Sequence, residues 1–298
     1  MNYSFYQVDV FTNTPFSGNP LAVFFDVEEQ LSSLAMLSIA KEMNLSETTF
    51  VLPPGEMPAD FSVKIFTPEK EIPFAGHPTI GTAHILRETG RAISGDHSIK
   101  LSMKAGIITV TQGLIDNLLF MDQPLPEYLP VLDCAEKIGN VLSIPTSSIK
   151  LSRYPIQIVS TGLPVILVPI NSIKALEKIV INASKLDNFL HSLGVEMLYA
   201  FTDETLNPSA NIHARMFAPP LGILEDPATG SAAGAMGAYI YKHKILPENN
   251  LKNIVIEQGY KMGRPSCIHV EIYHEHNEIK KIRVGGESVT IIEGFIKI

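Results

Sequence analysis

Hydrophobic and polar residues form short runs along the chain, and the same order of runs occurs twice. The first half opens with the segments FYQVDVF and LAVFF, which are joined by the turn TNTPFSGNP. The second half opens in the same way with YPIQIVS, the turn TGLP and VILVPI. Short runs rich in Val, Ile and Phe between Gly, Pro and Asn are typical of β-strands. Each half is therefore predicted to begin with a pair of strands.

The next segment of each half has the apolar spacing of an amphipathic helix. Hydrophobic residues recur every three or four positions from Leu31 to Met43, and again from Leu186 to Leu193. Asn44 and Gly194 follow these segments, and both residue types commonly end a helix in the left-handed conformation. The strand-like runs ETTFVL and MLYAFT come next. Both halves are predicted to continue as a helix followed by a strand.

A related phrase then appears in each half, FTPEKEIPFAGHPTIGTAH at 66–84 and FAPPLGILEDPATGSAAGA at 217–235. Each phrase leads into a helix of small residues and then into β-rich sequence. The shared order predicts a duplicated α/β unit of about 120 to 150 residues. Matching Gly76 with Gly230 places a glycine and a polar residue at both helix entrances, so we prefer it to matching His77 with Asp226.

The composition favours a soluble, globular protein. Of 298 residues, 45% are hydrophobic, the net charge is −8, and basic residues form no run. Nucleic acids and anionic membranes attract basic patches, so neither is expected as a partner. The two cysteines lie far apart and form no disulfide framework or metal motif, which indicates a reducing, cytoplasmic environment. The N-terminus resembles no signal peptide, and no apolar stretch is long enough to span a membrane.

The glycines at the two helix entrances have a chemical use. A helix that opens with Gly76 or Gly230 exposes backbone N–H groups and the positive end of its dipole, which suits a carboxylate. The later glycines, Gly81, Gly234 and Gly237, are expected only to allow close helix packing. The spacing fits neither a phosphate-binding loop nor a dinucleotide fingerprint.

Three titratable residues are candidates for the chemistry, and two of them lie at these entrances. His77 follows Gly76 and could move a proton or bind an anion, while Asp226 precedes Pro227 and could equally be an N-cap. Glu47 lies beside Ser46 between a helix end and a strand, where it could act as a general base or be a solvated loop carboxylate. No His, Cys, Asp or Glu spacing suits a metal site, so no metal is expected.

Several long motifs identify a family resemblance. DVFTNTPFSGNPLAVF, MNLSETTFV, IFTPEKEIPFAGHPTIGTAH, MFAPPLGILEDPATGSAAGA and GRPS together resemble the phenazine biosynthesis-like (PhzF-like) isomerase family. The resemblance implies an α+β, diaminopimelate-epimerase-like fold. Two pseudo-symmetric lobes, each a curled, mainly antiparallel sheet around a central helix, would hold the active site in the cleft between them. We expect an N-terminal lobe at 1–125, completed by a last strand at about 286–298, and a C-terminal lobe from 126.

The resemblance also implies the chemistry and its residues. Family members catalyse a cofactor-free proton shift in which a Glu moves a proton between carbons of a small cyclic carboxylic acid. That Glu corresponds to Glu47, and the accessory residues correspond to His77, Asp226 and Ser231. The residues expected to contact the substrate are Gly76, Gly230, Ser46 and Asn19. A cytoplasmic homodimer is expected.

Related epimerases use a thiol from each lobe, and this sequence departs from that pattern. Ala75 and Thr229 precede the entrance glycines, and both cysteines lie outside the motifs. In the second half the nearest acid to the position of Glu47 is Glu196, which is one residue out of register and is expected to face the other side of its strand. A proton shift through one base is therefore favoured. The alternatives are an epimerase or racemase of another small acid, and a binding protein without turnover.

Overall fold

The structure is a computed structural model that describes residues 2–92, 98–113 and 117–298. The chain forms two compact units: unit 1 consists of Met1–Asp122 and Gly285–Ile298, and unit 2 consists of Gln123–Val284. Within the described ranges there are eighteen strands and six α-helices. None of those helices is long and apolar enough to cross a membrane.

The elements follow one another along the chain as short strands and a few helices. The strands are β1 (Asn2–Val10), β2 (Asn19–Phe25), β3 (Thr48–Leu52), β4 (Phe61–Phe66), β5 (Glu71–Ile72), β6 (Ser98–Met103), β7 (Gly106–Gln112), β8 (Leu119–Gln123), β9 (Glu127–Val131), β10 (Gln157–Ser160), β11 (Pro164–Pro169), β12 (Met197–Thr202), β13 (Ile212–Ala218), β14 (Ile223–Asp226), β15 (Ile254–Gln258), β16 (Ser266–Glu275), β17 (Glu278–Gly286) and β18 (Ser288–Lys297). The helices are α1 (Ser33–Met43), α2 (Gly76–Glu88), α3 (Ala135–Leu142), α4 (Ile173–Glu177), α5 (Ala183–Leu193) and α6 (Gly230–Lys242).

Unit 1 contains a mixed sheet in which the first strand of the chain, β1, lies beside the last strand, β18. Strand β1 pairs antiparallel with both β2 and β18. Strand β2 pairs parallel with β3, β3 antiparallel with β4, and β4 antiparallel with β5 and parallel with β6. Phe24 and Phe50 stack with their ring centroids 5.4 Å apart, in a core that also buries Met36 and Ile39 of α1. The aromatic strand residues thus fix α1 against the sheet.

Unit 2 repeats this plan of pairings. Strand β10 pairs antiparallel with β11, β11 parallel with β12, and β12 antiparallel with β13. Strand β13 then pairs antiparallel with β14 and parallel with β15. The same order of parallel and antiparallel neighbours in both units shows that the duplication predicted from the sequence is present in the fold.

The two small-residue helices are the central helices of their units. Helices α2 and α6 are 13 residues each and begin at Gly76 and Gly230, which confirms the preferred match between the halves. A Cβ on Gly81 would lie 2.7 Å from side-chain atoms of Leu21 and Val10, and one on Gly237 would lie 2.6 Å from Val270. For Gly234 the corresponding neighbour is the hydroxyl of Thr161, at 2.8 Å. These later glycines permit close packing, as expected.

The predicted helix ends are confirmed as well. Helix α1 ends at Asn44 and α5 ends at Gly194, both in the left-handed conformation. At the other end of α1, the hydroxyl of Ser32 accepts a hydrogen bond from the amide of Ala35, and in α5 Asn182 accepts one from Lys185. These side chains satisfy first-turn amides that would otherwise lack a partner within the helix.

Candidate active site

Strand β3 carries Glu47 to the first turn of α2. Glu47 immediately precedes β3, and it lies on the same side of the strand as Thr49 because strand residues alternate in direction. The hydroxyl of Thr82 on α2 donates a hydrogen bond of 3.0 Å to the hydroxyl of Thr49. This bond holds the buried side of β3 against α2, where His77 is the second residue.

Glu47 and His77 meet at this place. The Oε2 atom of Glu47 lies 3.6 Å from Nε2 of His77, and the two side chains are 13% and 7% exposed. Among the residues that the structure describes, none donates a hydrogen bond to Oε2 of Glu47. Burial raises the pKa of Glu47, and a hydrogen bond from Ser46 opposes this to a smaller extent. Because burial disfavours the ionised form of this carboxyl group, its carboxylate binds a proton more strongly. A carboxylate of this kind beside an imidazole suits a general base.

Ser46 and Asn19 lie next to this pair. Asn19 is the buried first residue of β2, and Oγ of Ser46 lies 3.5 Å from its Oδ1 atom. The Ser46 hydroxyl donates its hydrogen bond to Glu47. The parallel pairing of β2 with β3 brings these residues together. The structure thus connects the predicted substrate-binding residues of unit 1 with the predicted base.

The first turn of α2 differs from those of α1 and α5. The residue before Gly76 is Ala75, whose methyl group cannot accept a hydrogen bond from a helix amide. The amides of an α-helix point toward its N-terminal end, which in α2 is the end where His77 and Glu47 lie. Such a set of donors can stabilise negative charge on a bound acid.

In unit 2 the predicted residues surround the start of α6. Asp226 is the buried last residue of β14, and Gly230 and Ser231 are the first two residues of α6. Thr229 occupies the N-cap position, so Asp226 is not the N-cap, which was one reading of the sequence. The Thr229 hydroxyl donates a short hydrogen bond to the Asp226 carboxylate instead of accepting one from the helix. This bond fixes the orientation of the carboxylate, which lies close in sequence to the start of α6.

Sequence reasoning missed two buried residues that contact this region. Nε2 of Gln258 donates hydrogen bonds to the Asp226 carbonyl (2.7 Å) and to the Thr229 hydroxyl (3.1 Å). The Tyr199 hydroxyl donates one of 2.9 Å to Oε1 of Gln258. Both lie at 0% exposure within runs that the sequence marks only as strands, MLYAFT and NIVIEQ. A polar residue within a predicted buried strand was the available signal.

The position in unit 2 that corresponds to Glu47 holds an apolar residue. Phe66 pairs with Thr48, and its counterpart Phe217 pairs with Leu198, so the residue equivalent to Glu47 is Met197. Met197 is 3% exposed, whereas the neighbouring Glu196 is exposed. The expectation that Glu196 is out of register is confirmed.

Glu257 is another buried acid of unit 2, and its contacts indicate a structural role. Oε1 of Glu257 lies 2.5 Å from Nδ1 of His213, and its carboxylate also accepts hydrogen bonds from the amides of Leu206 and Asn207. Burial alone would raise the pKa of Glu257, but these hydrogen bonds together hold it below its usual value. The His213 contact joins β13 to β15, and the two amide bonds fix Leu206 and Asn207 to β15. In the described part of the chain, no three His, Cys, Asp or Glu side chains gather as metal ligands would.

Comparison with known sequences gives matches over almost the entire chain. The model of the phenazine biosynthesis-like protein family matches residues 8–294. An uncharacterized isomerase of Mesorhizobium japonicum is 35% identical over 304 residues, which cover 98% of this chain and 97% of the relative. A trans-2,3-dihydro-3-hydroxyanthranilate isomerase of Pseudomonas chlororaphis is 34% identical over 292 residues, which cover 97% of each chain.

Solved structures agree with the fold. A phenazine biosynthesis protein of the PhzF family from Bacillus anthracis superposes with a TM-score of 0.90 at 27% identity, over 100% of both chains. A hydroxyproline epimerase from Agrobacterium vitis superposes with a TM-score of 0.63 at 12% identity, over 99% of this chain and 91% of the epimerase. The second likeness concerns the fold alone. Together they confirm the predicted α+β, diaminopimelate-epimerase-like fold.

Proposed function

This chain belongs to the phenazine biosynthesis-like protein family and is an isomerase, and we propose that it moves a proton between carbons of a small, cyclic, unsaturated carboxylic acid through Glu47, without a cofactor. The observation that supports this most strongly is the meeting of Glu47 and His77 at the start of α2, 3.6 Å apart. The carboxylate is largely buried, and its Oε2 atom accepts no hydrogen bond from the described residues.

The proposed reaction needs one group that both takes and returns a proton. Ionised Glu47 removes a proton from a carbon of the substrate that is adjacent to its unsaturated system. The electron pair of that C–H bond delocalises toward the oxygens of the substrate carboxylate. The now neutral Glu47 returns the proton to a second carbon of the same system, so that a double bond moves and nothing is consumed. Because burial raises the pKa of Glu47, the neutral intermediate state of the side chain is stabilised. A carboxyl group in bulk water would lose its proton too readily for this role.

The helix amides supply the second requirement. Negative charge that develops on the substrate carboxylate is stabilised by donors fixed before the reaction begins. We assign this role to the first-turn amides of α2, because Ala75 at the N-cap forms no side-chain hydrogen bond with them. We assign Asn19 and Ser46 to substrate contact because Ser46 forms a hydrogen bond with Glu47 and lies 3.5 Å from Oδ1 of Asn19.

The accessory residues follow from the family resemblance and from their surroundings. His77 lies close enough to Glu47 to assist its proton transfers. Asp226 and Ser231 are assigned to hold and polarise the same acid. The buried hydrogen bond from Thr229 fixes the Asp226 carboxylate in one orientation, as a substrate contact requires.

The relatives indicate the first acid to test. The Pseudomonas chlororaphis relative is named a trans-2,3-dihydro-3-hydroxyanthranilate isomerase. That compound is a small, cyclic, unsaturated carboxylic acid, which is the class that the proposed chemistry requires. We propose this class as the substrate and this compound as the initial probe, followed by other cyclic dienoic and enoic acids.

The test compares Glu47→Gln with Glu196→Gln. The second variant removes an exposed carboxylate just outside the equivalent position of unit 2, so it serves as a matched control. Proton NMR in D2O follows both substrate loss and deuterium at each carbon, while calorimetry measures binding. We expect Glu47→Gln to lose at least about a hundredfold in turnover, as removal of a general base does, and to keep binding within a few-fold, while Glu196→Gln behaves as wild type.

Each other outcome has a defined reading. Retained turnover in Glu47→Gln would remove Glu47 from the mechanism. Deuterium that enters an inverted stereocentre, with no movement of a double bond, would favour an epimerase. Tight binding of these acids by the wild-type protein with no turnover of any would favour a binding protein.

A further inference from the structure

A chain of buried hydrogen bonds ends on the Asp226 carboxylate. The Tyr199 hydroxyl donates to Oε1 of Gln258, Nε2 of Gln258 donates to the Thr229 hydroxyl, and that hydroxyl donates to Asp226. We call Tyr199, Gln258 and Thr229 the buried relay. All three are buried, and Tyr199 and Gln258 are fully so.

The direction of the relay is fixed by backbone groups. The Asp226 carbonyl can only accept a hydrogen bond, so the side of the Gln258 amide that faces it at 2.7 Å must be the NH2 group. The Thr229 amide can only donate, and it faces the other side, Oε1, at 3.4 Å. With its hydrogen bond from Nε2 accepted, the Thr229 hydroxyl has its proton available for the carboxylate. Burial raises the pKa of Tyr199, so its hydroxyl remains a donor.

The equivalent strand positions of unit 1 hold no such series of hydrogen-bonded residues. Tyr199 pairs with Met216, which pairs with Asp226; the corresponding ladder of unit 1 runs through Thr49, Ile65 and Ile72. Gln258 and Met103 end the equivalent strands β15 and β6. The unit 1 counterparts of Asp226, Thr229, Tyr199 and Gln258 are therefore Ile72, Ala75, Thr49 and Met103.

Comparing the equivalent positions of the two units distinguishes residues that the fold requires from residues that the site requires. Burying a polar group costs free energy unless it is fully hydrogen-bonded, so a fold gains little by replacing an apolar contact with a polar one. The fold accepts Met103 and Ile72 at these places in unit 1. The polar set occurs in the unit whose β14 ends in a carboxylate, and the last bond of the series, from Thr229, reaches that carboxylate.

We propose that Tyr199, Gln258 and Thr229 are positioning residues that hold the Asp226 carboxylate in its working orientation for the proton shift. The proposal rests on the proposed function, because it assigns the relay to the same reaction. In this proposal the buried relay holds Asp226 rigid before the substrate binds. The relay then affects turnover only through Asp226.

The test uses substitutions that remove single groups. Tyr199→Phe removes the first donor, and Thr229→Val removes the last, whereas Thr229→Ser keeps the hydroxyl. Tyr239→Phe is the matched control, since the buried Tyr239 hydroxyl donates to the Pro155 carbonyl at 2.6 Å, away from the relay. Turnover of trans-2,3-dihydro-3-hydroxyanthranilate is measured for each variant together with its melting temperature.

We expect Tyr199→Phe and Thr229→Val to lower kcat by about tenfold with KM changed less than about threefold, as loss of transition-state positioning does. Thr229→Ser should stay within about threefold of wild type, and Tyr239→Phe should keep its kcat even where its melting temperature falls as much as that of Tyr199→Phe. In an Asp226→Asn background, Tyr199→Phe should lower kcat no further.

The outcomes distinguish the two proposals. If Glu47→Gln keeps turnover, or the wild-type protein turns over no acid, the proposed function fails and this inference fails with it. If Glu47→Gln is inactive, the proposed function stands. The inference is then overturned if Tyr199→Phe and Thr229→Val keep wild-type kcat, if Asp226→Asn has no effect, or if the effects of Asp226→Asn and Tyr199→Phe multiply.

Discussion

Oε2 of Glu47 lies 3.6 Å from Nε2 of His77, at the point where β3 reaches the first turn of α2. Two elements far apart in the sequence produce this contact. The turn through Asn44 directs the chain from α1 into β3, and the Thr49–Thr82 hydrogen bond joins β3 to α2. The site is thus built into the packing of unit 1, and several properties of the protein should depend on it.

The activity should rise with pH as Glu47 ionises. Burial favours the neutral carboxyl group and raises its pKa above the usual value of 4.5. Since the base must be ionised to accept a proton, the rising limb of kcat/KM should have its midpoint above 4.5. Initial rates from about pH 4 to pH 9 measure this limb. A midpoint at or below 4.5, or a flat profile, would contradict the assignment.

Removal of the Glu47 charge should stabilise the folded protein at neutral pH. A group whose pKa is raised by folding gives its full stability below the unfolded pKa and loses it as the pH rises through the folded pKa. Glu47→Gln should therefore match wild type in acid and become the more stable protein as the pH rises. Each tenfold change in proton affinity corresponds to about 1.4 kcal/mol of that difference.

Urea unfolding at several pH values measures the effect, with Glu196→Gln as the control. That exposed carboxylate should give no pH-dependent difference. If Glu47→Gln is less stable than wild type at pH 7 and above, the ionised carboxylate has a strong partner in the folded protein, and the role of base is wrong.

Thr49 and Thr82 should be energetically coupled. The Thr82 hydroxyl donates to Thr49, whose hydroxyl faces the Ala22 carbonyl at 3.4 Å. Thr49→Val leaves the Thr82 donor buried and should lower the free energy of unfolding by about 1 to 3 kcal/mol. The double variant Thr49→Val/Thr82→Val removes both groups and should lose less than the sum of the single losses. Strict additivity in this double-mutant cycle would show that the hydroxyls do not interact.

Glu257 should have the opposite pH behaviour to Glu47. Burial would raise its pKa, but His213 and two backbone amides hold it below its usual value. A lowered pKa gives stability that is present above the unfolded pKa and is lost as the pH falls through the folded pKa. Glu257→Gln should therefore cost about 3 kcal/mol at neutral pH and flatten the acid limb of the stability curve.

Acid unfolding followed by circular dichroism measures this loss. Glu278→Gln is the control, because that residue forms an exposed ion pair with Lys280, and it should not change the curve measurably. An unchanged acid limb in Glu257→Gln would mean that the buried His213 pair does not govern stability in acid.

Much of this architecture follows from local sequence signals. The ends of α1 and α5 at Asn44 and Gly194 were predictable because these types tolerate the left-handed conformation. The starts of α2 and α6 followed from the glycines at 76 and 230. The reading of Asp226 as an N-cap was wrong because Thr229, three residues later, is the N-cap.

The remainder of the site depends on strand register. Met197 rather than Glu196 corresponds to Glu47, and the paired strands show this directly. Tyr199 and Gln258 come together because β12 and β15 both pair with β13, a contact between residues distant in sequence. Periodicity identifies such residues as members of strands, but it gives no information about which partner a buried polar side chain will meet.

The central claim, that one carboxyl group carries the proton, is tested most directly by following a single deuterium. A substrate of the proposed class is labelled at the carbon that loses its hydrogen, and the product of the first turnovers in H2O is analysed by NMR and mass spectrometry. The account predicts that part of the label appears on the receiving carbon, because buried Glu47 returns the deuterium before solvent replaces it. Complete loss of the label from the earliest product, with Glu47→Gln still active, would contradict it.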